Sequence, residues 1–386
     1  MCCRQLKIEK ENAMKMWIVI MWTALVMTGA AWVYVSNRVC QFFIMKKITE
    51  GNEIKKAILG GGITLFLFCL TGVALNFVNA IICLIYFAMF WMLSDALFVV
   101  IEKARGKKFG TYYAGIFAVV TCLCALAAGW YYDHGVWQTN YVLKTDKNVK
   151  DLRIVAFADS HLGTTFNAEG LAKHVKEMER QNPDVALVVG DFVDDGTSKA
   201  EMIKACKILG EMKTKYGVYF VFGNHDKGYY GAQYRGFGFD ELVDELSKNG
   251  VKILQDEAVL INDDFYVVGR RDFSEIRERS GYRKSMKKLM RDLDEDKYII
   301  VADHQPADFD NQAEAGADFV IAGHTHGGQL FPFNWVGKWI GANDEIYGLS
   351  RRKNTDFIVT SGISAWAIKF KTGTKSEFVV IDIKGN

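Results

Sequence analysis

From residue 57 to residue 101 the chain carries a single charged side chain, Asp95. As one helix, these 45 residues between Lys56 and Glu102 would run about 67 Å at 1.5 Å per residue, against a bilayer hydrocarbon core of about 30 Å. The stretch must therefore fold back. Asn76 to Asn79 is the natural turn, which gives spans near 57–77 and 80–101. Two more uncharged runs flank them, Met16–Asn37 and Phe109–Tyr132, and Trp17, Trp32, Trp91, Trp130 and Tyr131 sit where aromatic belts meet the membrane interface. Four transmembrane helices are expected over 1–132. The first run is long for a signal-peptide core and Gly29-Ala30-Ala31 is a weak cleavage site, so it reads as an uncleaved anchor.

With four spans, loops 38–56 and 102–108 share one side and hold nine Lys/Arg against seven on the other. The positive-inside rule then places both termini, and the domain that follows, on the extracytoplasmic face. Asp95 has two open readings: an intramembrane functional carboxylate, or a charge near a helix end or facing its neighbours. Gly60-Gly61-Gly62 could allow close helix packing or a kink. Cys2-Cys3 could be acylated, though no surrounding motif supports it. The spans read as an anchor. Beyond them the only cysteine is Cys206, so the remaining chain forms no internal disulfide.

Residues 133–151 read as a polar connector and 152–386 as a soluble domain of mixed charge. The net charge of +2 gives no argument for a nucleic-acid partner. In the domain, apolar runs expected as strands are Leu152–Ala158, Val185–Val189, Val218–Phe222, Phe265–Gly269, Tyr298–Ala302, Phe319–Ala322, Phe357–Thr360 and Glu377–Ile383. Amphipathic stretches expected as helices are Glu169–Arg180, Ser198–Tyr216, Asp240–Lys248 and Tyr282–Leu293. The alternation predicts a layered α/β domain.

In such folds ligands gather where strands end, and the polar clusters stand there. The expected strands run into Asp159-Ser160-His161, Gly190-Asp191-Phe192-Val193-Asp194, Gly223-Asn224-His225-Asp226, Asp303-His304 and Gly323-His324-Thr325-His326-Gly327-Gly328. Five of the seven histidines fall in these clusters. Aspartate and imidazole together suit Mn, Fe or Zn, and the absence of thiolates argues against a structural zinc knot. Eight candidate ligands exceed the needs of one ion. Two ions about 4 Å apart sharing a carboxylate would use them, generate hydroxide at neutral pH and clamp a phosphate. His225 lies between a ligand-type Asn224 and the carboxylate of Asp226, so a protonated ring could stabilise a leaving oxygen. Asp194 reads as a group that orients a neighbour rather than a ligand.

The ordered pattern D-x-H, G-D-x-x-D, G-N-H-D, H, G-H-x-H resembles the calcineurin-like metallophosphoesterase superfamily over about 152–386. Its last block, His324 to Gln329, resembles a membrane-tethered or exported bacterial branch, with relatives that act on the pyrophosphate of UDP-diacylglucosamine. The resemblance implies two sheets flanked by helices, an α/β sandwich behind the four-helix anchor. It also implies that Asp159, His161, Asp191 and His326 hold one ion, and that Asp191 bridges to a second held by Asn224, His304 and His324. His225 would be the general acid or transition-state stabiliser, oriented by Asp226. The expected activity is metal-dependent hydrolysis of phosphoester or pyrophosphate bonds, with a lipid-linked substrate favoured by tethering and membrane lipid as a partner. The alternative is a membrane sensor that holds a metal-bound phosphate ligand without turnover.

Weaker signals leave two readings each. Arg270-Arg271-Asp272 could grip a phosphate oxygen or form a surface salt bridge. Phe331, Phe333, Trp335, Trp339 and Trp366 could line an apolar approach for lipid or a nucleoside base, pack the core, or rest on the bilayer. Arg351-Arg352-Lys353 could meet anionic headgroups or simply be solvated. His134 and His174 read as solvated.

Overall fold

The computed structural model describes residues 2–279 and 281–385, and for residues 2–18 and 20 the backbone alone. The chain divides into two compact units, Met1–Ala128 with Ala367–Lys369, and Gly129–Trp366 with Phe370–Asn386.

The first unit is helical: α1 (Cys2–Val39), α2 (Phe43–Ile48), α3 (Glu53–Ala74), α4 (Phe77–Arg105) and α5 (Tyr113–His134), the last running on into the second unit. Among the described residues three helices, α3, α4 and α5, are long and apolar enough to cross a membrane. The fourth expected span, 16–37, lies on α1 and reaches into residues whose side chains are outside the description. The fold-back occurs at the asparagines, where the Asn76 side chain caps α4 by accepting from Asn79 N (2.9 Å). Of the three consecutive glycines, Gly60 is the one at a tight crossing: a Cβ there would stand 2.5 Å from Cys40 Sγ and 2.9 Å from Ser36 O on α1. Asp95 faces its neighbours. It accepts from the hydroxyls of Tyr34 and Tyr112, both at 2.9 Å, and meets Arg38 Nε at 2.8 Å. Its charge is therefore balanced within the unit.

The second unit holds two six-stranded sheets. The first has the order β1 (Val136–Lys144), β12 (Ser376–Lys384), β2 (Leu152–Phe157), β3 (Val185–Val189), β4 (Val218–Val221), β5 (Lys252–Ile253). The second runs β10 (Gly348–Arg352), β11 (Thr355–Val359), β9 (Phe319–Ala322), β8 (Tyr298–Ala302), β7 (Phe265–Gly269), β6 (Glu257–Ile261). Period-two alternation divides each central strand between two cores. On β3, Val185, Leu187 and Val189 join Ile300, Ile321 and Ile358 of the other sheet, whereas Ala186 and Val188 join Leu171 and Met178 of α6 (Ala168–Glu179) and Met202 and Leu209 of α7 (Lys199–Gly210). On the far face of the second sheet, Ile299, Val301 and Val320 pack with Met286 and Phe309. The result is the helix–sheet–sheet–helix sandwich expected, since sheets apolar on both faces must be covered on both.

Three expectations change. The supposed connector 133–151 contains β1, which pairs in parallel with β12 from Val136↔Ser376 to Lys144↔Lys384. The helix expected over 198–216 stops at Gly210 because the chain turns back: Lys215 N donates to Pro183 O (3.2 Å) and Tyr216 N to Asp184 O (2.8 Å). The helix expected over 282–293 shrinks to Met286–Met290, since Arg283 is drawn to Asp303 and Lys284 N to Asp256 Oδ2 (2.7 Å).

Candidate metal centre

Strands β2, β3 and β4 are mutually parallel, as are β8 and β9. Each delivers its loop at its C-terminal end: Asp159 and His161 after β2, Asp191 and Asp194 after β3, Asn224 to Asp226 after β4, His304 after β8, His324 and His326 after β9. Loops from the two sheets meet, as the His304 ring hydrogen-bonds to Val189 O at the end of β3 (2.8 Å). Asp159, His161, Asp191, His324 and His326 all have positive φ (55°, 36°, 51°, 69° and 49°). Non-glycine residues rarely adopt that region, at a cost of about 1–3 kcal/mol each, and such strain concentrates at functional sites. Bonds between loops hold it: Asp159 N–H donates to Gly190 O and His161 N–H to Asp191 O, both at 3.0 Å.

Among the described residues Asp159, His161 and His326 bring ligand atoms within 4.8 Å of one another, and so do Asp191, His304 and His324. Asp191 links the two groups, with Oδ2 lying 3.1 Å from His304 Nε2 and 3.7 Å from His161 Nε2. Asp159, His161, Asp191 and His304 are all at most 2% exposed. The backbone is drawn in to match: a Cβ on Gly223 would stand 2.2 Å from Asp191 Oδ1.

The polar atoms here fit cations. Val189 O can only accept, so His304 Nδ1 carries a proton and a neutral ring turns the lone pair of Nε2 toward the Asp191 carboxylate. Two lone pairs 3.1 Å apart repel unless a proton or cation lies between them. Without a cation the proton stays: burial pushes the His304 pKa down, but Asp191 outweighs it and holds the ring well above its usual value. His326 is placed similarly, with Nδ1 on Ser364 O (3.2 Å) and Nε2 3.9 Å from Asp159 Oδ1, but burial and the neighbouring His161 hold its pKa well below the usual value, so this ring is neutral. Nε2 of His161 and Oδ1 of Asn224 are buried without a hydrogen bond. Orphaned buried acceptors are costly, and a set of imidazole, carboxylate and amide oxygens without thiolate suits Mn, Fe or Zn.

The proposed acid is arranged differently from expectation. Asp226 does not meet the His225 ring; its carboxylate accepts from the backbone amides of Asp191 (3.0 Å), Phe192 (2.8 Å), Val193 (3.1 Å) and Gly223 (2.7 Å). It braces the loops after β3 and β4. The carboxylate on the ring is Asp194, with Oδ1 3.1 Å from His225 Nδ1 and Oδ2 3.3 Å from His161 Nδ1. Burial would lower the His225 pKa, but Asp191 and Asp194 together raise it to about 9. Burial would raise that of Asp194, but the two imidazoles hold it below the usual carboxylate range.

The weaker signals also resolve. Arg270 is 2% exposed and spent on Asp303 (3.1 Å) and Asp308 (2.9 Å), so it is not free to grip phosphate. Arg351, Arg352 and Lys353 pair with Asp356, Asp310 and Glu314. His174 and His134 are half-buried rather than solvated; His174 packs edge-on to Phe166 and His134 stacks on Trp130. Trp366 lies beside the acid, its ring centroid 5.1 Å from that of His225, and is 46% exposed. Phe331, Phe333, Trp335 and Trp339 are exposed. Sequence reasoning missed Tyr229, whose hydroxyl meets Asn224 Nδ2 at 2.9 Å, and the buried Lys371, whose Nζ donates to Ser361 O at 2.7 Å. Lone residues of these types in loops carry no local signal.

Residues 152–328 match the family described as calcineurin-like phosphoesterase. The chain is 27% identical over 309 residues to an uncharacterized metallophosphoesterase of Campylobacter jejuni, covering 78% of this chain and 79% of that one. It is 31% identical over 252 residues to a transmembrane protein with metallophosphoesterase domain from Danio rerio, covering 63% of this chain and 55% of that relative's length. Among solved structures it is similar to a dimetal phosphatase from Danio rerio, at 14% identity and a TM-score of 0.39, covering 59% of this chain and 91% of that one. All five candidate ligand loops fall within the matched span, so residues 152–328 form a domain of the calcineurin-like phosphoesterase family.

Proposed function

We propose that the protein is a membrane-anchored phosphoesterase using two divalent ions, which hydrolyses phosphoester or pyrophosphate bonds of a lipid-linked substrate. One observation carries this reading: buried Asp191 links two groups of carboxylate and imidazole side chains, in each of which the ligand atoms converge within 4.8 Å of one another. Asp159, His161, Asp191 and His326 would hold one ion, and Asp191, Asn224, His304 and His324 the other. When bound, the pair supplies Lewis acidity and an activated water at neutral pH.

The chain's own residues do the rest. Asp194 holds His225 through Nδ1 (3.1 Å) and favours the protonated ring, which leaves Nε2 to give its proton to the departing oxygen as the P–O bond breaks. Asp226 fixes the loop that carries that ring by its four backbone bonds.

The lipid-linked part of the reading rests on the excursion 330–346. It exposes Phe331, Phe333, Trp335 and Trp339, yet is stapled to the ligand loops: Thr325 Oγ1 donates to Ile346 O (2.6 Å) and Asp344 N to Pro306 O (2.8 Å). Exposed aromatics rooted beside the metal ligands suit an acyl chain attached to the phosphate. The excess of Lys/Arg in loops 38–56 and 102–108 supports an extracytoplasmic catalytic face.

The test is hydrolysis of bis-p-nitrophenyl phosphate by the full-length protein in detergent with Mn, beside Asp191→Ala. Turnover that is lost in the variant is the expected result. Turnover equal in both, or absent from the wild type with every divalent ion tried, rejects the reading. A long-chain phosphoester processed no better than a soluble one would remove the lipid-linked part alone.

A further inference from the structure

Asn224 reaches the pocket through a side-chain amide, which can present either an oxygen, able to bind a cation, or an NH2 group, which repels one. Which end faces inward is decided outside the ligand set. Asn224 Nδ2 donates to the hydroxyl oxygen of Tyr229 at 2.9 Å, and that hydroxyl donates to Glu278 Oε2 at 3.3 Å. The order of donors has one solution. A carboxylate only accepts, so the single phenolic proton goes to Glu278; the phenolic oxygen is then an acceptor and must meet the NH2 end of the amide. Asn224 Oδ1 is thereby turned away, and it is buried without a hydrogen-bond partner.

The segment that supplies Glu278 holds the same loop at two further points. Arg279 Nη2 donates to Asn224 O (3.0 Å) and Gly228 O (3.4 Å), with its guanidinium 5.5 Å from the Tyr229 ring centroid. Lys227 Nζ meets Glu275 at 2.5 Å. From the other side, Asp195 takes the backbone amide of Tyr229 (3.0 Å). Tyr229 is thus fixed at both its backbone and its hydroxyl.

We propose that Tyr229, with Glu278 as its proton acceptor, is a positioning residue that sets the Asn224 amide with its oxygen toward the second ion. This rests on the two-ion reading above and adds the residues that tune one of the two sites. Tyr229 touches no reacting atom in this role. It acts through Asn224, and its loss should weaken one ion and spare the other.

The experiment is a Mn titration of metal-stripped full-length protein in detergent, with free Mn counted by its EPR signal, for wild type, Tyr229→Phe and Glu278→Gln. Tyr229→Phe keeps the ring beside His225 (centroids 5.1 Å apart) and removes the hydroxyl alone, both the acceptor for Asn224 and the donor to Glu278. The expected result is an unchanged first ion and a second ion weakened roughly 10–100-fold, the range seen when a group orienting a metal ligand is removed. Glu278→Gln keeps the hydroxyl but offers an NH2 donor of its own, which lets the phenolic proton turn toward Asn224. It should weaken the second ion in the same direction by a smaller factor. Two ions bound by Tyr229→Phe as tightly as by wild type, or both weakened equally, would overturn the proposal. A wild type that takes up only one ion overturns the two-ion reading itself, and this inference with it.

Discussion

Asp194 Oδ1 lies 3.1 Å from Nδ1 of His225, so the carboxylate that holds the proposed acid comes from the loop after β3 and not from the residue next to it in sequence. The same Asp194 faces His161 at 3.3 Å, which ties the proposed acid and a proposed ligand of the first ion to one side chain.

Asp194→Asn should therefore lower activity about 10–100-fold, the usual cost of losing a group that orients a catalytic or metal-binding histidine. The measurement is kcat on bis-p-nitrophenyl phosphate with Mn content determined on the same sample. Full activity at full metal loading would show that Asp194 does not orient the ring.

Protonation sets a second expectation. In the metal-free site His225 is raised to about 9, burial being outweighed by Asp191 and Asp194, against about 6.5 when unfolded. Between those values the folded state binds more protons than the unfolded one, so stability falls as pH rises. The contribution is complete below about pH 6.5 and is lost through about pH 9; His304, also raised by Asp191, acts in the same direction. The unfolding midpoint of metal-stripped full-length protein should drop over this window, and less so in Asp194→Asn. Saturating Mn should reverse the slope, because imidazole ligands bind a cation in their neutral form.

Close backbone approach gives a third. In Gly223→Ala the new methyl would stand 2.2 Å from Asp191 Oδ1 and 2.5 Å from Asp191 N, so the shared carboxylate must move. Loss of metal binding is expected with destabilisation of about 1–3 kcal/mol, read by Mn titration and denaturant melts. Unchanged uptake of Mn would mean that the two loops can separate freely.

Lys371 is wholly buried, and its Nζ donates to Ser361 O (2.7 Å) and Gly362 O (3.4 Å). A Cβ on Gly362 would stand 2.7 Å from that of Asp159, so this turn backs a proposed metal ligand. Burial lowers the lysine to about 8, although Asp133, Asp159 and Glu377 pull the other way. Its folded pKa is depressed, so between about 8 and the usual 10.4 the unfolded chain binds the extra proton and stability rises with pH. Relative to Lys371→Met, wild type should gain stability from about pH 8 upward, measured by chemical denaturation. The variant should also bind its first Mn more weakly, since the turn behind Asp159 has lost its donor.

How far the fold could be read from sequence follows a physical division. The eight expected strands are the eight interior strands of the two sheets, and the four that went unseen, β1, β5, β6 and β10, are the four sheet edges. Interior strands are covered on both faces and so are written as continuous apolar runs, such as Val185–Val189. An edge strand is half solvated. β1 reads Val-Trp-Gln-Thr-Asn-Tyr-Val-Leu-Lys, with polar and exposed positions interspersed, which alone is indistinguishable from a linker. Its pairing with β12, more than two hundred residues later, has no local trace.

The site divides in the same way. Residue types and their positions after apolar runs were enough to nominate the candidate ligands that the fold brings together, Asp159, His161, Asp191, His304, His324 and His326, because each loop carries its own histidine or carboxylate and that chemistry is written locally. Which carboxylate serves which ring was settled by folding. Sequence adjacency suggested Asp226 for His225, but Asp226 accepts four backbone amides, and the β3 loop delivers Asp194 instead. Likewise Arg270 had two readings, a phosphate grip or a surface salt bridge, until its buried pairing with Asp303 and Asp308 decided between them, and Tyr229 and Lys371 gain a role only through contacts with distant segments. Partner choice depends on distances of about 3 Å between groups far apart in the chain, and those distances exist only once the two sheets have packed.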